Sequence, residues 1–319
     1  MYTTKITRTL SPAGVAPIGK LSHTYGLLPL LALLAATSAW SQTAPGADTP
    51  ASAHYKFVTI GPRDSLSVVA HGINDAGIVT GSYEDSSSNY HGFVWQDGVF
   101  KTVDYPAAVD TFVYGVNNLG VAIGAYGNSL TGPIFTAVTY SIQDGTWTEF
   151  PSVPTQSLNF GYGINDGGVA VGDAIGFGWI WDPITFSYAF LNVPGAQPYS
   201  AFPFGINGKR QVVGYFADAS YAQHGFTEEG GAYTTVDVPG AANTLLLGIN
   251  SRGAIVGTWG NAAGTYQGFL MTSAGTLVNV NYPGAEQTGI GGINDRGDLC
   301  GYYAASSNGP DQAFIAILQ

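Results

Sequence analysis

One three-residue phrase, Gly-Ile-Asn or Gly-Val-Asn, recurs six times and limits what this chain can fold into more than any other feature. It stands at Gly72-Ile73-Asn74, Gly115-Val116-Asn117, Gly163-Ile164-Asn165, Gly205-Ile206-Asn207, Gly248-Ile249-Asn250 and Gly292-Ile293-Asn294, at intervals of 43, 48, 42, 43 and 44 residues. Seven residues after each Asn comes a glycine: Gly81, Gly124, Gly172, Gly214, Gly257 and Gly301. Three residues after it comes another, Gly77, Gly120, Gly168, Gly253 and Gly297, with Arg210 the exception. A period of about 40–50 residues with strand-like content marks the blades of a propeller.

The first cycle spells out the grammar. Ser65 to Ile73 alternates apolar and polar and reads as strand a. Asn74-Asp75-Ala76-Gly77 is a hairpin turn, since Asn and Asp cap their own turns and Gly supplies positive φ. Ile78 to Tyr83 is strand b, Ser86 to Asn89 a polar loop, His91 to Trp95 strand c, and Val99 to Tyr105 strand d. Pro106 ends strand d because proline cannot donate to a ladder. His224-Gly225-Phe226, Gln267-Gly268-Phe269 and Gln312-Ala313-Phe314 repeat the His91-Gly92-Phe93 phrase of strand c. Four short strands per cycle are the content of one blade.

The sixth cycle ends at Gln319 after strands a, b and c, and Tyr55 to Ile60, followed by Gly61-Pro62, reads as a strand d with no blade before it. Pairing the two closes a ring and removes an open edge. The expected fold is therefore all-β: a six-bladed β-propeller over residues 55–319 with four-stranded blades, closed by Tyr55–Ile60.

The cycle Gly-Ile-Asn-x-x-Gly-x-x-x-Gly, together with His-Gly-Phe, resembles the bacterial extracellular HAF-repeat family over residues 55–319. The resemblance implies export and a propeller-like fold and carries no agreed activity. Departures are Arg210 in the turn, the degenerate second cycle around Thr131 to Tyr140, and the loss of His from the last two His-Gly-Phe positions.

Residues 1–41 read as a secretion signal, with Lys5, Arg8 and Lys20 ahead of an apolar run, Leu27 to Ala36, that is too short to span a bilayer. Ala39-Trp40-Ser41 places cleavage before Gln42, and residues 42–54 form an Ala-, Pro- and Thr-rich lead-in. A secreted or periplasmic location follows, with no membrane span in the mature chain. The chain has 21 acidic residues against 10 Lys plus Arg, and the leader holds three of those bases. That balance argues against nucleic acid and anionic membranes as partners. The single cysteine, Cys300, occupies a slot held elsewhere by Thr80, Ile123, Val171, Val213 and Val256, so it reads as a small buried hydrophobe.

Candidates for chemistry are few. Asn74, Asn117, Asn165, Asn207, Asn250 and Asn294 read as structural turn residues rather than metal ligands, because too few donors surround them for a calcium cage. His91 and His224 open strand c; with no acidic partner at a repeated spacing, they read as surface or strand-end packing rather than catalytic groups. Glu84, Asp85, Asp173 and Asp218 share one class of loop. Nine residues after each Asn stand Tyr83, Tyr126, Ala174, Phe216, Trp259 and Tyr303, and the b–c loops add Tyr90, Tyr221 and Tyr266. Aromatic rings at these places suit stacking on sugars or anchoring a protein, and equally suit wedging blades together. No serine elbow, phosphate loop or His-Glu-x-x-His occurs. The expectation is a monomeric, exported binding module without cofactor or metal, engaging a glycan or an exported protein through its variable b–c and d–a loops. The alternatives are a polysaccharide hydrolase or lyase with its site at the propeller axis, and a structural surface component.

Overall fold

The computed structural model describes residues 54–62, 64–127, 135–151, 153 and 158–319. The leader, residues 42–53 of the lead-in, and Thr131 to Ile134 of the second cycle lie outside the described residues. The rest is a six-bladed β-propeller of four-stranded antiparallel sheets, with no α-helix among the described residues. In blade 1 the strands are Ser67–Ile73, Val79–Glu84, Tyr90–Gln96 and Val99–Val103, within one residue of the sequence expectation apart from strand a's start and strand d's end, which differ by two. Tyr55–Ile60 is the outermost strand of blade 6 and pairs antiparallel with Gln312–Leu318, from Tyr55↔Leu318 to Ile60↔Ala313. The ring therefore closes head to tail as expected, and the first strand spares the last blade an open edge.

Apolar side chains divide into six clusters between neighbouring blades and one around the axis. Phe93, Phe226, Phe269 and Phe314, the aromatic of the strand-c phrase, are fully buried, and Trp179 takes the same place in blade 3. Cys300 is fully buried at the closing seam, among Ile60, Val68, Phe93 and Ile315, where burial pushes its thiol pKa far up. It is a packing residue.

Each element of the Gly-Ile-Asn phrase has its own task. The glycine sits where adjacent blades approach most closely: a Cβ on Gly72 would lie 2.8 Å from the Tyr114 carbonyl oxygen, and one on Gly163 2.5 Å from that of Phe204. The Asn amide makes two kinds of bond. Its Oδ1 accepts from the backbone N–H four residues on, as Ile78 donates to Asn74 at 3.0 Å, and this occurs in all six blades. Its Nδ2 donates to the carbonyl of the next blade's Asn: Asn74 to Asn117, Asn117 to Asn165, Asn165 to Asn207, Asn207 to Asn250, Asn250 to Asn294, and Asn294 back to Asn74, all at 3.0–3.1 Å. The turn reading captured the first bond and not the second. Arg210, the exception among the turn glycines, holds the same left-handed backbone at φ 65° and reaches Asp182 in blade 3.

All six Asn side chains are buried, and each gripped carbonyl also accepts from its own turn, as the Gly77 N–H donates to Asn74 at 3.0 Å, so losing an Asn amide removes one of two donors to that carbonyl. Asn165→Ala removes a turn cap and a clasp, and should cost about 2–4 kcal/mol in urea denaturation. Asn294→Ala, at the seam, should cost a similar amount; no effect there would mean that the clasp does not run round the whole ring.

Candidate binding face

The axis is furnished by a β-bulge. Strand a slips register against strand b just before each Gly-Ile-Asn, as between Ala70 and Gly72 or between Pro203 and Gly205. An extra residue in one strand re-aims its side chain. Here the re-aimed residues are His71, Tyr114, Tyr162, Phe204, Leu247 and Gly291, which line an axial cavity of about 80 Å³. Neighbouring rings touch around it: His71–Tyr114 at 4.7 Å, Tyr114–Tyr162 at 4.9 Å and Tyr162–Phe204 at 4.4 Å. Below lies a wider space of about 170 Å³ on the a–b face, rimmed by Asp75, Asn118, Asp166, Gly208, Ser251 and Asp295. Sequence reasoning missed the axial set. Its only signal is position, the residue just before each Gly-Ile-Asn, because the residue type changes from blade to blade.

Among the described residues no carboxylate is hydrogen-bonded to His71, and loss of water around it pushes its pKa down to about 3. The neutral ring therefore faces the cavity throughout the physiological range. Asp173, on strand b of blade 3, is bonded to the axial Tyr162 and does not itself line the cavity. Burial pushes its pKa up to about 6, while the Tyr162 hydroxyl, at 2.7 Å, and the Gly176 N–H pull the other way. Both Asp173 oxygens are thus occupied, and the residue is only 3% exposed.

The eight aromatic candidates do not form one site. Tyr90 and Tyr266 are half-buried; Tyr90 packs on Phe112 at 4.8 Å among the axial aromatics, and Tyr266 lies near enough to Tyr215 and Tyr302 to raise their pKa values further. The position nine residues after each Asn packs on the strand-d exit of the preceding blade. Tyr126 stacks on Tyr105 at 3.7 Å and Tyr303 on Tyr282 at 3.6 Å. Phe216 packs with Val193, Trp259 with Val238, and Tyr83 with Ile60. Tyr83, Tyr126, Trp259 and Tyr303 are half-buried wedges, Phe216 is buried, and Tyr221 is 79% exposed at a loop tip.

The reading of the two histidines needs correction. His91 Nδ1 lies 2.9 Å from Asp104 and Nε2 3.3 Å from Asp85; His224 lies 2.9 Å from Asp237 and 3.4 Å from Asp218. Acidic partners do recur, six residues before and thirteen after each histidine. They were overlooked because they flank the strand-c phrase rather than belong to it. Blade 5 carries an uncharged counterpart, Asn261, Gln267 and Asn281, in which Asn281 donates to Gln267 at 2.6 Å. In each case the outer part of the network ties strand c to the strand-d exit. The loop residue also caps its own turn, as Asp85 does for Ser87 and Asn89. The backbone N–H of Asn89 is the foremost reason that the Asp85 pKa falls to about 2. Histidine, two aspartates and a neutral copy of the same network describe a strap, not an acid–base pair.

Partial burial alone would lower the His91 and His224 pKa values, but the flanking carboxylates reverse this and leave both raised. A histidine pKa raised by folding adds stability that is complete below the ordinary histidine value and is lost as pH rises through the folded value. The double variant His91→Gln, His224→Gln should therefore melt below the parent at about pH 5, and the gap should close towards about pH 9. Parallel melting curves across that range would remove the aspartate strap as a pH-dependent contact.

No family model matches the chain, and no curated protein matches it. Solved structures do. TolB from Acinetobacter baumannii aligns with 80% of this chain and 65% of its own, at 11% identity and a TM-score of 0.52. AofleA from Arthrobotrys oligospora aligns with 82% and 86% at 12% identity and a TM-score of 0.50. A gluconolactonase from Xanthomonas campestris aligns with 86% and 97% at 12% identity and a TM-score of 0.50. This chain spans about two thirds of the TolB chain. At such identities the likeness establishes the propeller fold and nothing finer.

Proposed function

We propose that the chain is an exported binding module that engages a glycan or a protein partner through its b–c and d–a loops, in keeping with its resemblance to extracellular HAF-repeat proteins. The observation that carries this reading is the contrast between the two faces. All six a–b turns have one length and one hydrogen-bond pattern, from the Asn N–H to the carbonyl four residues on. The b–c connections instead span two residues in blade 3, five in blades 1, 4 and 5, and seven in blades 2 and 6. A scaffold that repeats rigidly on one side and varies on the other places recognition on the varied side. His91, His224 and their flanking Asp85, Asp104, Asp218 and Asp237 on that face are engaged in straps and caps, which supports binding over turnover.

A second reading has one observation of its own. Asp173, whose carboxyl burial raises to about 6, is hydrogen-bonded to the axial Tyr162, and a group so tuned beside the axis suits acid–base chemistry on a polysaccharide entering the funnel. The readings separate in one experiment. The purified chain is screened on arrayed glycans, and each glycan it retains is incubated with it and examined for shortened or unsaturated products. Saturable retention with unchanged ligand is expected, and Asp173→Asn should bind within about twofold of the parent. Product release that Asp173→Asn abolishes would replace the binding module with an enzyme.

A further inference from the structure

Among the described residues twelve large apolar side chains are exposed, and six of them, Ile175, Phe177, Ile184, Phe186, Phe190 and Tyr199, belong to blade 3 or the link that follows it. Ile184 and Phe186 lie in the c–d turn on the other face; the remaining four, Ile175, Phe177, Phe190 and Tyr199, are tied to two changes in the repeat. The b–c connection of blade 3 is cut to Ile175-Gly176, both at positive φ, 52° and 77°. Such hairpins favour Asn-Gly, and a β-branched residue there is strained. The link from blade 3 to blade 4 is longer than its counterparts: Ala196 precedes Asn207 by 11 residues, whereas Ala241 and Ala285 precede Asn250 and Asn294 by nine. The longer link lies across the trimmed hairpin. A Cβ on Gly176 would fall 2.0 Å from the Tyr199 carbonyl oxygen, and the Ala201 N–H donates to Gly176 at 3.2 Å.

The link delivers Tyr199, 60% exposed and itself at φ 63°. Its ring meets Phe177 at 4.5 Å and 76°, and Phe190 stands 6.4 Å from Phe177 at 71°. Three solvent-facing rings thus meet nearly at right angles on the b–c side of blade 3. A turn that holds Ile175 and Tyr199 in a backbone suited to glycine works against stability, and strain of this kind collects where a side chain must be presented. No charged residue occurs from Pro183 to Gly208, on a chain that is otherwise acidic. Exposed Asn192 and half-buried Gln197 add uncharged hydrogen-bonding groups nearby.

We propose that Phe177, Tyr199 and Phe190 form a stacking platform for the ring of an uncharged oligosaccharide. The C–H face of a neutral pyranose matches a bare aromatic face, its hydroxyls match Asn192, Gln197 and the Tyr199 phenol, and an acidic sugar meets no cation in the link and would approach Asp218, which follows Ala217, the acceptor of the Gln197 N–H. This rests on the binding-module reading and gives it a place and a ligand class.

The purified chain is applied to an array of neutral and acidic oligosaccharides, and the best neutral ligand is titrated by calorimetry. Phe177→Ala and Tyr199→Gly should each weaken binding at least tenfold. Tyr199→Gly should at the same time raise the melting temperature by roughly 1–3 °C, because glycine relieves the left-handed backbone; a structural tyrosine would show the reverse. Ile184→Ser, 85% exposed on the opposite face, should leave affinity within twofold. If Phe177→Ala fails to fold, Tyr199→Gly carries the test. Neutral-sugar binding untouched by both variants would overturn the platform and leave the binding module standing. An array on which only acidic sugars bind, or none, would overturn the ligand class. A parent that sediments as a dimer, separated by Tyr199→Gly, would make the corner a contact between two copies and overturn the sugar assignment.

Discussion

A closed circuit of six side-chain amides holds this molecule to its shape. Each Asn of the repeat uses both ends of one amide: the oxygen folds its own a–b turn, and the nitrogen grips the backbone of the next blade. An amide buried with only one end satisfied would cost more than it contributed. Folding of a turn and docking of a blade are therefore coupled through one side chain. The bond from Asn294 to Asn74 joins residues 220 apart in sequence with the same geometry as its five neighbours. The closing seam is thus an ordinary interface, and the first strand, which completes blade 6, brings its two sides together.

That circuit explains what was legible in the sequence. Gly and Asn are fixed in every cycle because each meets a copy of itself in the next blade, and the Ile or Val between them fills the cluster between blades, so the period, the strand order and the closing strand could be read directly. The donor half of the Asn bond was not legible: an Asx turn already accounts for an asparagine, and nothing local indicates that its nitrogen reaches a residue more than forty positions away. The axial residues were hidden for the opposite reason. His71, Tyr114, Tyr162, Phe204, Leu247 and Gly291 share a place and not a residue type, since each faces a cavity that imposes no common shape.

The aromatics illustrate how repetition misleads. Tyr126 and Tyr303 drew attention because they recur, yet recurrence follows from the task that every blade shares, packing on the exit of the one before. Phe177, Phe190 and Tyr199 recur nowhere, and a search for periodic signals passes over them. The histidine straps fall between these cases. Two blades use aspartate and histidine and a third uses asparagine and glutamine, so the network persists while its charge does not. A rule that looked for acids alone sees only part of it.

Because the clasps lie on the a–b side and the wedges lie between blades, the opposite loops carry little of the burden of ring assembly. Their lengths are free to drift, and blade 3 shows how far. A shortened hairpin and a lengthened link meet there, and the second fills the space left by the first. Neither change disturbs the buried amide of Asn165, which still donates to Asn207 at 3.0 Å. Strain at Ile175 and Tyr199 is tolerable for the same reason, since the blade beneath is fixed on both flanks by contacts those residues do not share. Symmetry on one face is what permits asymmetry on the other, and in a molecule of six near-equal parts, the part that departs from the pattern while still being held by it is where a specific function has room to arise.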